Sequence, residues 1–186
     1  MPIAYAIMLA SFVYLSVGGQ DIGLSGKILL DGVYSSFILL AVPLFIIAAN
    51  IMNAGTISDR LLSFCVGLVG RFKGGMGHVN VVASLIFSGM SGSAVADAAG
   101  IGKIIIEMMT RTGHYTRGYA AAITAASATI GPIIPPSIPM VLYALVSNTS
   151  IGFLFLGGIL PGLIMGMVLM FMNTIISHKR GFGTEE

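Results

Sequence analysis

Apolar residues fill long stretches of this chain and the polar ones gather between them, a pattern of membrane-length helices joined by short polar connections. Pro2 to Val17 is apolar until Gly18 and Gly19 end it, and Gln20 to Asp31, with Asp21, Lys27 and Asp31, reads as a loop. A second apolar run extends from about Tyr34 to Ala54 and contains Pro43, a residue that spanning helices accommodate as a kink. Against the roughly 20 residues a helix needs to cross a hydrocarbon core about 30 Å thick, the first run is a short candidate and the second is long enough. Thr56 to Lys73 differs. Leu61, Leu62, Cys65, Leu68 and Val69 recur there at helical spacing between Arg60 and Arg71, with Ser58 as the expected N-cap. That spacing predicts an amphipathic helix at the membrane interface, with an ordinary short span as the alternative. The run Gly74-Gly75-Met76-Gly77 is expected to break the chain.

From Val79 to Phe87 the chain is apolar, then reads Ser88-Gly89-Met90-Ser91-Gly92-Ser93, and resumes as a helical run from Ala94 to Met109. A first arm of about ten residues is about 15 Å of helix, half a bilayer core. Two such arms around a Gly/Ser tip predict a re-entrant hairpin. Gly118 to Ser177 holds no charged residue and no histidine; as one helix it would be about 90 Å long, so it must turn. The polar cluster Ser147-Asn148-Thr149-Ser150 marks the turn, and a last span follows from Ile151 to Ser177. Before that turn stand Pro132, Pro135, Pro136 and Pro139. Proline cannot donate to the helix ladder and disfavours helix in the residue before it, so the helix is interrupted near its middle. Ser137 is placed to cap the second half.

Composition removes the soluble alternatives. Charged residues are 9% of the chain and hydrophobic ones 56%, whereas soluble domains carry about 25% charged residues. An all-α integral membrane protein fits, and a net charge of +2 gives no reason to expect nucleic acid. Cys65 is the single cysteine, which excludes an internal disulfide and a cysteine zinc cluster. His78, His114 and His178 lie far apart in the chain at expected membrane margins, so no metal cluster is expected, and no nucleophile–base set suggests an enzyme. The first residues lack a basic leader and an A-x-A-like end, so a retained span is expected rather than a cleaved signal. Arg60, Arg71, Lys73, Arg111, Arg117, Lys179 and Arg180 can share one side, while the Gln20–Asp31 and Ser147–Ser150 connections contribute only Lys27. By the positive-inside rule the first group is cytoplasmic. This holds only if the chain between Gly77 and Arg111 enters and leaves by one face.

Candidate chemistry lies at the two interruptions. Glycines at the tip permit positive φ and let carbonyls turn toward an ion, and serine hydroxyls add oxygens of the kind hard cations prefer. Helix packing through the small pair Gly89 and Ser93 is the competing reading. Asp97, one turn beyond Ser93, is an acid in an apolar segment and hence a functional candidate, or a local brace of the tip. Lys103 and Glu107 are four apart and read as structural. Interrupted helices build substrate and ion sites in secondary transporters, with helix N-termini facing anions and freed carbonyls facing sodium.

The strings VPLFIIAANIMNAG, GGMGHVNVVASLIFSGMSGSAVADAAGIG and ATIGPIIPPSIPMVLYA resemble the large membrane subunit of TRAP (tripartite ATP-independent periplasmic) transporters, from about Pro2 to Arg180. The resemblance implies an elevator-type permease of inverted repeats, each with a re-entrant hairpin and a discontinuous helix. It implies sodium-driven import of organic anions such as dicarboxylates, sialic acid or other sugar acids. It also implies a small membrane subunit, a periplasmic substrate-binding protein and a multi-pass position in a bacterial or archaeal cytoplasmic membrane. No cofactor is implied beyond the coupling sodium ion. The family's hairpin-tip pattern falls on Ser91, Gly92, Ser93 and Asp97, and its broken-helix pattern on Ser127, Thr129, Gly131, Pro132, Pro135, Pro136 and Ser137. These would line one sodium site and part of the substrate site. Four segments follow: spans and interfacial helix over 1–73, the hairpin over 74–113, the discontinuous helix over 114–150, and a last span with its tail over 151–186. The family's subunit is more than twice this long, so a second repeat is expected outside these residues. The chain is expected to be a fragment, a truncated product or a split subunit. Another sodium/carboxylate carrier of the same architecture and a non-transporting membrane interaction subunit are the alternatives.

Overall fold

The structure is a computed structural model, and it describes residues 3–19, isolated positions between 21 and 31, and residues 40–182 apart from Gly55, Thr56 and Thr112. All regular elements among the described residues are helices. The chain divides into two compact units, residues 1–40 and 41–186. The first unit contains helix α1 (Ile3–Val17), which ends where Gly18 N–H bonds Tyr14 O and Gly19 takes a φ of +67°. Tyr5, Leu9, Val13 and Val17 are exposed on it. The expected loop over Gln20–Asp31 and the start of the second run at Tyr34 lie largely outside the described residues.

The second unit runs α2 (Ala41–Ala54), α3 (Ile57–Val69), α4 (Gly75–Ser91), α5 (Ala94–Ala99), α6 (Ile101–Arg111), α7 (Arg117–Ala128), α8 (Ile138–Ser147) and α9 (Ile151–Arg180). Helix α4 is its post. It packs against α2, α3, α5, α6, α7 and α9, and its side chains from Met76 to Val81 are buried on every face. A helix buried all round must be apolar or small all round, which explains the sequence Gly75-Met76-Gly77 at its start. Those glycines are part of α4, not a break in the chain. A Cβ on Gly75 would collide with the Gly70 carbonyl and one on Gly77 with the Asn173 amide. The first arm of the hairpin is therefore 17 residues, about 26 Å, rather than the expected ten. The chain reverses one turn earlier, through Gly74 at φ +75°.

Other boundaries moved for similar reasons. Ser58 is not the cap of α3; it lies within the first turn, buried with Leu62, Cys65 and Val69 on the face toward α4. Leu68, expected on that face, is exposed. Pro43 falls in the first turn of α2 among the described residues, where a missing N–H costs no helical hydrogen bond. The run from Ala94 to Met109 is split at Gly100, whose N–H bonds Ala96 O and whose ψ of −100° leaves the helix. The turn at Ser147–Ser150 is where the pattern placed it, with Asn148 in the left-handed region at φ 52°.

Helix α9 has 30 residues and is apolar and long enough to cross a membrane. Its buried side carries Gly158, Gly162, Gly166, Asn173 and Ser177. Asn173 ties both ends of the hairpin region to one level of α9. Its amide donates to Gly74 O at 3.0 Å, just before α4, and its oxygen accepts from Tyr119 Oη at 2.6 Å, at the start of α7. The chain thus leaves that level along α4 and is back at it by α7.

Close approach at Gly77 sets a stability test. Gly77→Val should lower the stability of the micelle-bound chain by about 1–3 kcal/mol, as overpacking does. Gly67→Ala, in α3 with nothing within 4 Å of its added methyl, should raise it by about 0.5–1 kcal/mol through helix propensity. Unfolding in rising SDS, followed by helical circular dichroism, measures both.

Candidate functional site

Two interruptions of helix meet. The hairpin tip lies between α4 and α5, where Gly92 adopts φ +57°. Ser93 caps α5, its Oγ accepting from Ala96 N at 3.4 Å. The second interruption separates α7 from α8. It holds together through turn bonds from Gly131 N to Ala128 O and from Ile134 N to Ile130 O, and through Ser137. Ser137 Oγ donates to Pro132 O at 2.5 Å and accepts from Met140 N at 3.3 Å, so one buried hydroxyl closes the irregular segment and caps α8. The expected role of Ser137 as N-cap stands. The Pro135–Pro136 peptide is cis.

The tip and the break touch backbone to backbone. A Cβ placed on Gly92 would lie 2.8 Å from Pro136 O and 2.9 Å from Ile138 N, and one on Gly89 would lie 3.3 Å from Pro135 O. On the other side of the contact, a Cβ on Gly131 would lie 2.8 Å from Asp97 Oδ2 and 3.4 Å from Ala94 N. Asp97 is buried. Gly92, Asp97, Gly131, Pro135, Pro136 and Ser137 are thereby brought to one locus, with Ser93 at the head of α5 and Pro132 bonded to Ser137.

Not every candidate joins them. Thr129 is exposed and donates its hydroxyl to Ala126 O at 2.7 Å. Ser127 is fully buried in the seam between α4 and α7, and the side chain of Ser91 lies outside the described residues. Around Ser127 is a closed polar network that the residue pattern had not revealed. Asn80 Nδ2 donates to Thr124 Oγ1 at 2.6 Å, and Thr124 Oγ1 donates on to Ala120 O at 2.8 Å. Ser84 Oγ donates to Ser127 Oγ at 2.9 Å, and Ser127 Oγ donates to Asn80 Oδ1 at 3.1 Å. The available signal was a polar pair four apart on α4 opposite a hydroxyl pair three apart on α7. Gly158, Gly162 and Gly166, also unremarked in sequence, press α9 onto Ile133 O, the Ile134 side chain and Leu85 respectively.

The local chemistry is asymmetric. Prolines at 132, 135, 136 and 139 supply carbonyls without N–H groups, so acceptors outnumber donors at the break. A buried carboxylate lies beside them. That surplus of oxygen suits a cation. The N-terminus of α8 adds a partial positive end suited to an anion.

Comparison with known proteins gives the family. Residues 1–186 match the family described as tripartite ATP-independent periplasmic transporter, DctM component. The chain belongs to that family, and its curated relatives are transporter permeases, not enzymes. It is 44% identical to the sialic acid TRAP transporter large permease protein SiaM of Vibrio cholerae, over 99% of this chain and 43% of that protein. It is 41% identical to the 2,3-diketo-L-gulonate TRAP transporter large permease protein YiaN of Escherichia coli, over 91% of this chain and 40% of that protein. With the C4-dicarboxylate TRAP transporter large permease protein DctM of Vibrio cholerae the identity is 37%, over 91% of this chain and 38% of that protein. The chain spans about two fifths of the length of these relatives.

The seam predicts a contrast between two hydroxyls. Ser127→Ala removes the donor to the buried Asn80 Oδ1 and should cost about 1–3 kcal/mol of stability. Thr129→Val, at an exposed position, should change stability by less than about 0.5 kcal/mol. SDS titration of the two variants checks it.

Proposed function

We propose that this chain is one repeat of the permease of a sodium-coupled transporter that imports an organic anion handed over by a periplasmic binding protein. The observation that carries the reading is the interlocked contact of Gly92 with Pro136 and of Asp97 with Gly131. It gathers backbone carbonyls and a buried carboxylate where two helices are interrupted, beside a capped helix N-terminus. Family membership supports the transport class and sets aside a carrier of another family. The substrate class is drawn from relatives whose names give sialic acid, 2,3-diketo-L-gulonate and C4-dicarboxylates. A small membrane subunit and the remaining part of the permease complete the machine. The substrate site would lie between this repeat and that remainder, and the unit built on α4 would move as an elevator against it. In this reading the sodium ion binds at the tip and break, with oxygens from Ser93, the break carbonyls and the Asp97 carboxylate offsetting its charge. Such compensation is strong in a medium of low dielectric.

Helix α9 is a ruler for depth. Gly158 and Gly162 lie against the break and Asn173 against Gly74 and Tyr119. At 1.5 Å per residue the break is about 10–16 Å from the start of α9 and about 16–22 Å from the Asn173 level. A tip at that depth, with both bases at the basic end of α9, supports a hairpin that enters and leaves by the cytoplasmic face. A test replaces Arg71 or Arg117 by cysteine in a Cys65→Ala background, with an impermeant thiol reagent applied to whole bacterial cells. Neither position should label until the membrane is permeabilised; labelling of one of them from outside would refute the hairpin.

The ion site has its own test. In a complete transporter carrying this repeat, Ser93→Ala should raise the sodium concentration for half-maximal uptake several-fold. Asp97→Asn should raise it more, because it removes charge and keeps shape. Ser147→Ala, exposed at the turn after α8, should leave it unchanged. Sodium curves of uptake at matched expression decide it; if the first two variants do not move the curve, the locus is a packing motif.

A further inference from the structure

At the opposite end of α4 from the tip, a cavity of about 390 Å³ opens between the α3–α4 connection and α9. His78 and Gly92 are fourteen residues apart, so this cavity is about 21 Å from the ion locus along α4. Its polar wall is Lys73, His78, Thr174 and His178, its apolar wall includes Phe72 and Phe171, and none of its lining residues is acidic. The two histidines, far apart in the chain, converge on one threonine. His78 Nε2 lies 3.3 Å from Thr174 Oγ1, and His178 Nδ1 lies 3.0 Å from Thr174 O. The Thr174 hydroxyl also donates to Met170 O at 2.9 Å. The His78 imidazole is 4% exposed and hydrogen-bonds the Lys73 backbone.

We infer that this cavity binds the headgroup of an anionic phospholipid from the cytoplasmic leaflet, with Lys73 and His178 facing the phosphate. Three observations select an amphiphile. The cavity lies where α9 passes from its apolar run to His178, Lys179 and Arg180, the depth at which headgroups sit. The N-terminal turn of α4 adds partial positive charge beside Lys73 and His78, while the C-terminal carbonyls of α9 are covered by their own basic turn. Exposed apolar side chains at Leu160, Ile164, Met167 and Phe171 form a stripe at helical spacing that climbs α9 from the cavity. It offers a track about 16 Å long for an acyl chain. A free phosphate would use the basic wall and leave the stripe idle. A metal ion fits less well, because among the described residues no group of three His, Cys, Asp or Glu forms.

Native mass spectrometry of the delipidated full chain, with dioleoyl phosphatidylglycerol, dioleoyl phosphatidylcholine or inorganic phosphate added at equal concentration, tests this. One phosphatidylglycerol should be retained at least tenfold more strongly than phosphatidylcholine, and excess inorganic phosphate should not displace it. Lys73→Gln with His178→Gln, both at exposed positions, should weaken that retention at least fivefold with unchanged helical circular dichroism. Equal retention of the two lipids, retention insensitive to the double substitution, or displacement by phosphate would each overturn the proposal. The outcome is independent of the sodium curves.

Discussion

Two stretches of backbone in this protein come closer than any side chain permits, and the rest of the second unit is arranged to hold them there. Gly92 at the hairpin tip lies against Pro136 and Ile138, and Gly131 in the broken helix lies against Asp97 and Ala94. Irregular backbone at membrane depth carries polar groups that lipid cannot satisfy, so it persists only when protein surrounds it. Each interruption here is the other's surround. Ser137 closes the broken segment on Pro132, Ser93 caps the short helix after the tip, and Gly158 and Gly162 let α9 cover the far side.

The seam below that contact shows how helices adhere where the solvent is itself apolar. In lipid the hydrophobic effect gives helices little reason to associate, so close packing of small residues and interhelical hydrogen bonds do more of the work. Helix α4 uses both. Asn80 and Ser84 bond Thr124 and Ser127 of α7, and Gly77 admits Asn173 of α9. The network joins the hairpin arm to the first half of the broken helix over about one turn of each.

Much of this was legible from the chain because the responsible residues act locally. Prolines at 132, 135 and 136 interrupt a helix wherever they stand, Ser137 caps whatever follows it, and the cluster at 147–150 turns the chain within its own length. Asp97 was legible as an anomaly of charge in an apolar run. The errors share the opposite cause. Gly75 and Gly77 read as breakers because glycine is a poor helix former, yet they are helical because α9 and the Gly70 carbonyl leave no room for a side chain. Ser58 read as a cap and is a buried helical residue. Thr129 and Ser127 look alike in the pattern, and one is exposed while the other closes a buried network.

The sequence by itself determined that this is a membrane protein, that helix is interrupted at the Gly/Ser tip and at the prolines of 132–136, and which connections carry the positive charge. Those properties follow from composition and from backbone rules that act over a few residues. Only the tertiary structure decided which interruption faces which, that Asn80 and Ser84 meet Thr124 and Ser127, and that His78 and His178, a hundred positions apart, share one threonine. Contacts between helices depend on which faces are turned together and how closely their axes approach. Small residues and shape set that approach, and no local rule encodes a partner so distant in the chain.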